Sequence, residues 1–284
     1  MVRVNTFACR TGTAYRGGMT AKDLTRQIVV IAAFCFMIVA AMVGTGLFGG
    51  TSVQDLQGGA LDEDGSYLAP ARPAFMIWTV IYVGLLAYTI WQALPRQRAS
   101  ERQRVLGWLI AGTMALNGIW LVAAQFGSLA LTVLAIVVLV AMLGVTFHRT
   151  VFEPADGWVD RLLVDGVTGL HLGWVTLATV ANVAAWLTSI GTPEWDAAAD
   201  LWGIIVLIVV AAIGLGIEAA SGWRIAPALA MAWGLVWIAV ARLAGEPASA
   251  AIGVTAIVVA AAILLAAVIG TAVRTASAVR AADQ

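Results

Sequence analysis

Three short runs of this sequence set polar and aromatic side chains at helical spacing inside otherwise apolar stretches. In "HLGWVTLATVAN", His171, Trp174, Ala178 and Asn182 fall at i, i+3, i+7 and i+11, along one helix face. Phe75, Trp78 and Tyr82 fall at i, i+3 and i+7, and Asn117 and Trp120 at i and i+3. A helix facing only lipid has no use for such groups. The chemistry they can do is recognition. Flat aromatic surfaces with a few amide, phenol and imidazole groups are the composition of an apolar pocket that orients a ligand. They are not a catalytic set. The sequence shows no metal-ligand spacing, phosphate loop, nucleophile elbow or accessible carboxylate pair. It has no chain of buried acids such as proton pumps use, and no pattern demands a cofactor.

A plainer role stands beside this one. Asn117, Asn182, Thr176 and Thr179 can simply hydrogen-bond between helices, at about 0.6 kcal/mol on average in one measured membrane protein. Threonine often bonds back to its own helix. Taken singly, each of these residues is more often structural; taken together, they favour a pocket.

The elements that must carry these faces are transmembrane helices. Of 284 residues, 61% are hydrophobic and 11% charged, against about 25% charged in soluble domains. The net charge is zero, so no field points to nucleic acid. Two cysteines, Cys9 and Cys35, make no disulfide framework, and Cys35 reads as a packing residue. A span needs about 20 mostly apolar residues. Eight segments qualify: 26–50, 73–94, 105–126, 128–149, 163–190, 201–220, 224–244 and 249–273. The fold class is therefore an all-α polytopic membrane protein. Residues 1–25 are expected to be a disordered cytoplasmic leader, with Met19 as an alternative start. Residues 276–284 are expected to be a cytoplasmic tail.

Basic residues fix the orientation. All but Arg72 and Arg242 of the sixteen fall at the ends that share a side with the N-terminus, whereas Asp55, Asp62, Glu63, Asp64, Glu194, Asp196, Asp200 and Glu246 fall opposite. Both termini are expected to be cytoplasmic. The loop Thr51–Arg72 is the longest on the acidic side, and its length suggests function rather than mere connection. Asp165, Glu218 and Arg242 lie near span ends, where snorkelling is expected.

The chain holds twelve tryptophans. Trp91, Trp108, Trp158, Trp195, Trp202 and Trp223 suit an interfacial belt. Trp78, Trp120, Trp174, Trp186, Trp233 and Trp237 lie deeper, and either pack between helices or line a cavity. Gly169 and Gly173 form a GxxxG that lets another helix approach closely.

These motifs resemble those of the translocator-protein, or tryptophan-rich sensory protein, family (TspO/MBR). "PAFMIWTVIYVGLLAYTIWQALP" is similar to its second helix, with Trp78, Tyr82, Tyr88 and Trp91 at the motif positions. "ALNGIW" matches the third-helix motif through Asn117 and Trp120. Trp174, Ala178 and Asn182 match the fifth. The resemblance covers residues 26–190 as a five-helix bundle and leaves 191–275 as a three-helix extension, as in longer bacterial members. It implies an inner-membrane location in a bacterium and an internal pocket for a porphyrin-like or other polycyclic lipophile. The loop Thr51–Arg72 would cap that pocket. It implies no required cofactor, with porphyrin or haem as the ligand. Phe75, Trp78, Tyr82, Asn117, Trp120, His171, Trp174, Ala178 and Asn182 are the expected ligand-binding residues.

His171 stands where many members have an aromatic residue. An imidazole there can ligate haem iron or bond a propionate; an interhelical bond to Asp165, Asn182 or a carbonyl is the commoner use. The sterol-type motif finds no match after span five. The expected role is sensing or transport. The alternatives are a porphyrin-degrading enzyme using tryptophans as redox partners, and an eight-helix secondary transporter, for which no internal repeat is evident. Helices six to eight read as a lipid-facing or homodimer-forming appendage, with Trp233, Ala230 and Gly234 available for a helix contact.

Overall fold

The computed structural model describes residues 21–48, 51–192 and 197–282. The leader up to Thr20, with its Met19 start, and Trp195 lie outside these residues. The described residues form helices and loops without a strand. Eight helices are long and apolar enough to cross a membrane. They are α1 (Ala21–Gly44), α2 (Ile77–Ala93, entered through a 3-10 turn at Arg72–Met76), α3 (Glu101–Phe126) and α4 (Leu129–Phe152). Then come α5 (Trp158–Ile190), α6 (Ala199–Ser221), α7 (Ile225–Ala244) and α8 (Ala250–Ala282). All eight expected spans are present. Helix α1 starts at Ala21, inside the expected leader, and α8 continues to Ala282 through most of the expected tail.

Breakers and caps set the boundaries. Ser100 and Ser128 cap α3 and α4 by accepting from the Gln103 and Leu131 amides. Gly222, in the left-handed region at φ 70°, ends α6. Alternation gives the bundle a basic end, where α1 begins, and an acidic end, where the Thr51–Arg72 loop lies.

Helix α1 packs on α3, α3 on α4 and α4 on α5, while α2 bridges α1 and α5. Helix α7 then packs on α5, α8 on α7, and α6 on α8. The expected appendage is thus in part a bundle wall. The GxxxG of α5 receives α7: a Cβ on Gly169 would come within 2.9 Å of Ala226, and one on Gly173 would strike the Pro227 carbonyl and Ala230. Gly234 in turn admits Leu177 and Trp174. Small residues on both helices permit this close approach. Exposed apolar side chains such as Ile208 and Val209 on α6 and Val258 and Leu265 on α8 suit a lipid-facing surface.

The expectation of snorkelling does not hold. Asp165, Glu218 and Arg242 are 7%, 0% and 1% exposed. Asp165 and Arg242 turn inward to polar partners, and both Glu218 carboxyl oxygens are buried without a hydrogen-bond partner. Arg242 donates to the carbonyls of Glu63, Glu246 and Pro247. Asp165 joins Asp160 around Arg102, which also donates to the Glu153 carbonyl at 2.8 Å. The segment Arg161–Gly166 is π-helical. A π turn brings residues five apart towards one face, which 3.6 residues per turn would not; this aligns the two aspartates on one guanidinium. Arg224 completes the network, 3.5 Å from Asp165 and bonded to Thr150.

Candidate ligand site beneath the acidic-end loop

The expected residues of α2, α3 and α5 converge near the acidic end. Trp78 is the hub. Its ring stacks on Tyr82 at 5.2 Å and Trp120 at 6.3 Å, and meets His171 at 5.8 Å and Trp174 at 6.1 Å edge-on. Phe75 meets Trp174 edge-on at 5.8 Å. These separations lie in the favourable range for aromatic pairs.

Hydrogen bonds lock the three helices. The Tyr82 hydroxyl donates to Asn117 Oδ1 at 3.2 Å, and the Asn117 amide nitrogen lies 3.3 Å from His171 Nε2. An amide N–H can only donate, so Nε2 accepts and the neutral ring carries its proton on Nδ1. Trp120 Nε1 donates to Asn182 Oδ1 at 3.3 Å, and Asn182 donates back to the Ala178 carbonyl at 2.8 Å. His171 therefore has an interhelical partner, Asn117 rather than the expected Asp165, Asn182 or carbonyl. Thr176 and Thr179 bond back to Leu172 and Val175 on their own helix.

Not every polar edge is satisfied. Trp174 Nε1 and His171 Nδ1 are buried without a hydrogen-bond partner. Such orphans are uncommon in native interiors. Beside this cluster lies a cavity of about 40 Å³, lined by Phe75, Trp78, Trp120, Trp174, Ala178 and Asn182, and also by Leu177 and Ala181 of α5. Tyr82, Asn117 and His171 lie behind the aromatic wall rather than on the cavity.

Besides Leu177 and Ala181, the expected residues left out two contributors from α7. Gly234 and Ile238 bring α7 into the cavity wall, although the pocket was expected within residues 26–190. Their signal was the small-residue and tryptophan pattern Ala230, Trp233, Gly234, Trp237, which resembles an interior helix face. The loop 51–71 forms the roof through Val53, Gln54, Ala60, Leu61, Ala69 and Pro70. Arg72 gathers it by ion pairs to Asp55 at 3.1 Å and to Asp62, and its backbone N–H donates to Glu63. The Ser52 hydroxyl, with Arg72, holds the Asp55 carboxyl below the usual carboxylate range. Three bonds tie the roof and the entry to α2 to helix α7: Ala71 N–H to the Trp237 carbonyl, Trp233 Nε1 to the Ala74 carbonyl, and Arg242 to the Glu63 carbonyl.

Of the other tryptophans, Trp158 and Trp202 are exposed, as a belt requires, while Trp223 packs against Gly270. Among the described residues no group of His, Cys, Asp and Glu is arranged to hold a metal ion.

A family model described as TSPO-like protein matches residues 26–269, which includes the three C-terminal helices as well as the first five. No curated protein and no solved structure matches the chain.

Proposed function

The chain belongs to the TSPO-like protein family, and on that premise we propose that its roofed aromatic cluster binds a flat, porphyrin-like lipophile for sensing or carriage. The observation that carries this reading is the convergence of aromatic faces from α2, α3 and α5 with two unpaired polar edges, His171 Nδ1 and Trp174 Nε1. The protein is an integral membrane protein, and the roof faces the acidic side of the bundle. Positive residues gather at the other end, which we assign to the cytoplasm.

The cavity of about 40 Å³ holds little more than one water, whose share of liquid volume is about 30 Å³. Drug-sized ligands fill about 300–1,000 Å³. Binding therefore requires the roof to lift and the Trp78 ring to leave Trp120 or Trp174, so that the ligand replaces one aromatic face with its own. Iron is not needed for this. His171 Nε2 already accepts from Asn117, and ligation would break that bond.

The test is a titration of the purified full chain with protoporphyrin, followed by tryptophan fluorescence. Wild type quenches saturably. Trp78→Ala/Trp174→Ala, with helix content and elution unchanged, binds about 100-fold more weakly, the loss expected for two stacked faces. Unchanged affinity in that variant removes the assignment.

A further inference from the structure

A larger space lies beside the aromatic cluster, on the adjoining face of α5. Helix α6 packs on α8 and touches α5 only sparsely. The slot this leaves at the acidic end has a volume of about 580 Å³, between Thr179, Val183 and Leu187 of α5 and Trp202, Gly203 and Val206 of α6. That volume suits a drug-sized ligand, for which about 300–1,000 Å³ is usual. The cavity under the roof, about 40 Å³, does not. Leu187 and Trp202 on the slot are exposed, as are Ile205 and Ile208 along α6. The slot therefore opens sideways onto the apolar medium that these side chains face.

One strip of the roof borders both spaces. Ser66, Tyr67 and Leu68 line the slot, and the next two residues, Ala69 and Pro70, line the cavity. Helix α5 is shared in the same way: Thr179, Val180 and Val183 line the slot, while Ala178, Ala181 and Asn182 line the cavity. Leu68 belongs to the same buried apolar cluster as Leu177 and the Ile238 side chain that walls the cavity. The bonds that pin the roof to α7 sit on either side of the strip, at Glu63 and Ala71. Between them the bond from Ala69 N–H to the Ser66 carbonyl is local, so the strip can shift without breaking its pins. Ser66 is 3% exposed, yet its hydroxyl has no hydrogen-bond partner. Such orphans are uncommon in native interiors, and a carbonyl or carboxylate on a ligand would accept from this one. Among the described residues, the slot's lining carries no charged side chain, which suits a weakly polar edge rather than a charged headgroup.

We propose that this slot is a second binding site for the flat lipophile, taken up from the bilayer between α5 and α6 and passed beneath the strip Ser66–Leu68 to the aromatic cluster. The inference rests on the reading of that cluster as the ligand's final site. A lipophile dissolved in the membrane reaches the slot sideways and never has to cross the ion-paired outer surface of the roof around Arg72.

The experiment mixes the full chain, in phosphatidylcholine nanodiscs, rapidly with protoporphyrin and follows tryptophan fluorescence. Trp202 reports the slot, and Trp78 and Trp174 report the cluster. Wild type should quench in two phases, the faster saturating at one porphyrin per chain. Trp202→Phe should lose the faster phase and keep the slower. Val183→Phe/Val206→Phe, which fills the slot, should lose the Trp202 phase. It should also load the cluster about 10-fold more slowly, with the final affinity of the cluster unchanged. Ser66→Ala should raise the half-saturation of the faster phase about fivefold, as expected for one hydrogen bond. Trp202 quenching that survives in the filled variant comes from porphyrin dissolved in the lipid, and overturns the proposal. So does loading of the cluster at the wild-type rate in that variant. If the filled variant does not fold, an unchanged half-saturation in Ser66→Ala overturns it instead. Trp78→Ala/Trp174→Ala should keep the faster phase and lose the slower. Retention of both phases there would remove the aromatic assignment and leave the slot standing.

Discussion

Two buried polar regions sit at opposite ends of this bundle, and they are built on different principles. At the basic end Arg102, Asp160, Asp165 and Arg224 pair charge with charge, and the arginine donors also find carbonyls. At the acidic end Tyr82, Asn117, His171, Trp120 and Asn182 are neutral; Trp174 Nε1 remains unpaired in a residue that lines the cavity under the loop, and His171 Nδ1 remains unpaired behind the aromatic wall. A network that satisfies itself holds helices together. A neutral cluster with spare edges and a removable roof can exchange its internal contacts for a ligand. Burial alone does not distinguish the two; within the Arg102 network the charged groups find one another, whereas Trp174 Nε1 finds no partner.

The sharpest way to break this contrast is to remove the central guanidinium. Arg102→Ala leaves two buried carboxylates facing each other, and stability in detergent should fall by about 3–5 kcal/mol, read as loss of the folded elution peak or a lowered melting temperature. Replacing the four charges together, Arg102→Met/Asp160→Leu/Asp165→Leu/Arg224→Met, should recover most of that loss. Protoporphyrin affinity of the recovered protein should match wild type. If its affinity fell as far as that of the tryptophan double variant, the two ends would not be separable.

Next in size is the α5–α7 seam. Gly173→Val drives a methyl into the Pro227 carbonyl and should cost about 1–3 kcal/mol by overpacking. Since α7 walls the cavity, it should weaken porphyrin binding as well as stability, and an effect on stability alone would remove α7 from the site. The smallest effect is expected at Asn182→Ala. It loses the Trp120 bond, worth about 0.6 kcal/mol, and should shift the melting temperature slightly without abolishing binding.

Much of this architecture was legible in the sequence, because length and apolar content alone define membrane spans. The helical spacing of Phe75–Trp78–Tyr82 and His171–Trp174–Asn182 correctly placed those side chains on inward faces. Gly169 and Gly173 announced a close neighbour but could not identify it; a GxxxG records room for a helix and nothing about which helix fills it. The partner was α7, which lay beyond the region of motif resemblance. The charged network was also hidden. Arg102 read as one more topogenic arginine, and Asp160 and Asp165 share a face only through a π turn that no spacing rule for an α-helix reveals.

The most direct test of the central claim is hydrogen–deuterium exchange with and without protoporphyrin. The account predicts that protection changes in the roof, residues 51–71, and in the adjoining halves of α2, α5 and α7, while the loop 153–157 and the start of α5 stay as they were. Changes confined to residues 179–191 of α5 and 199–206 of α6, with an unaltered roof, would contradict it.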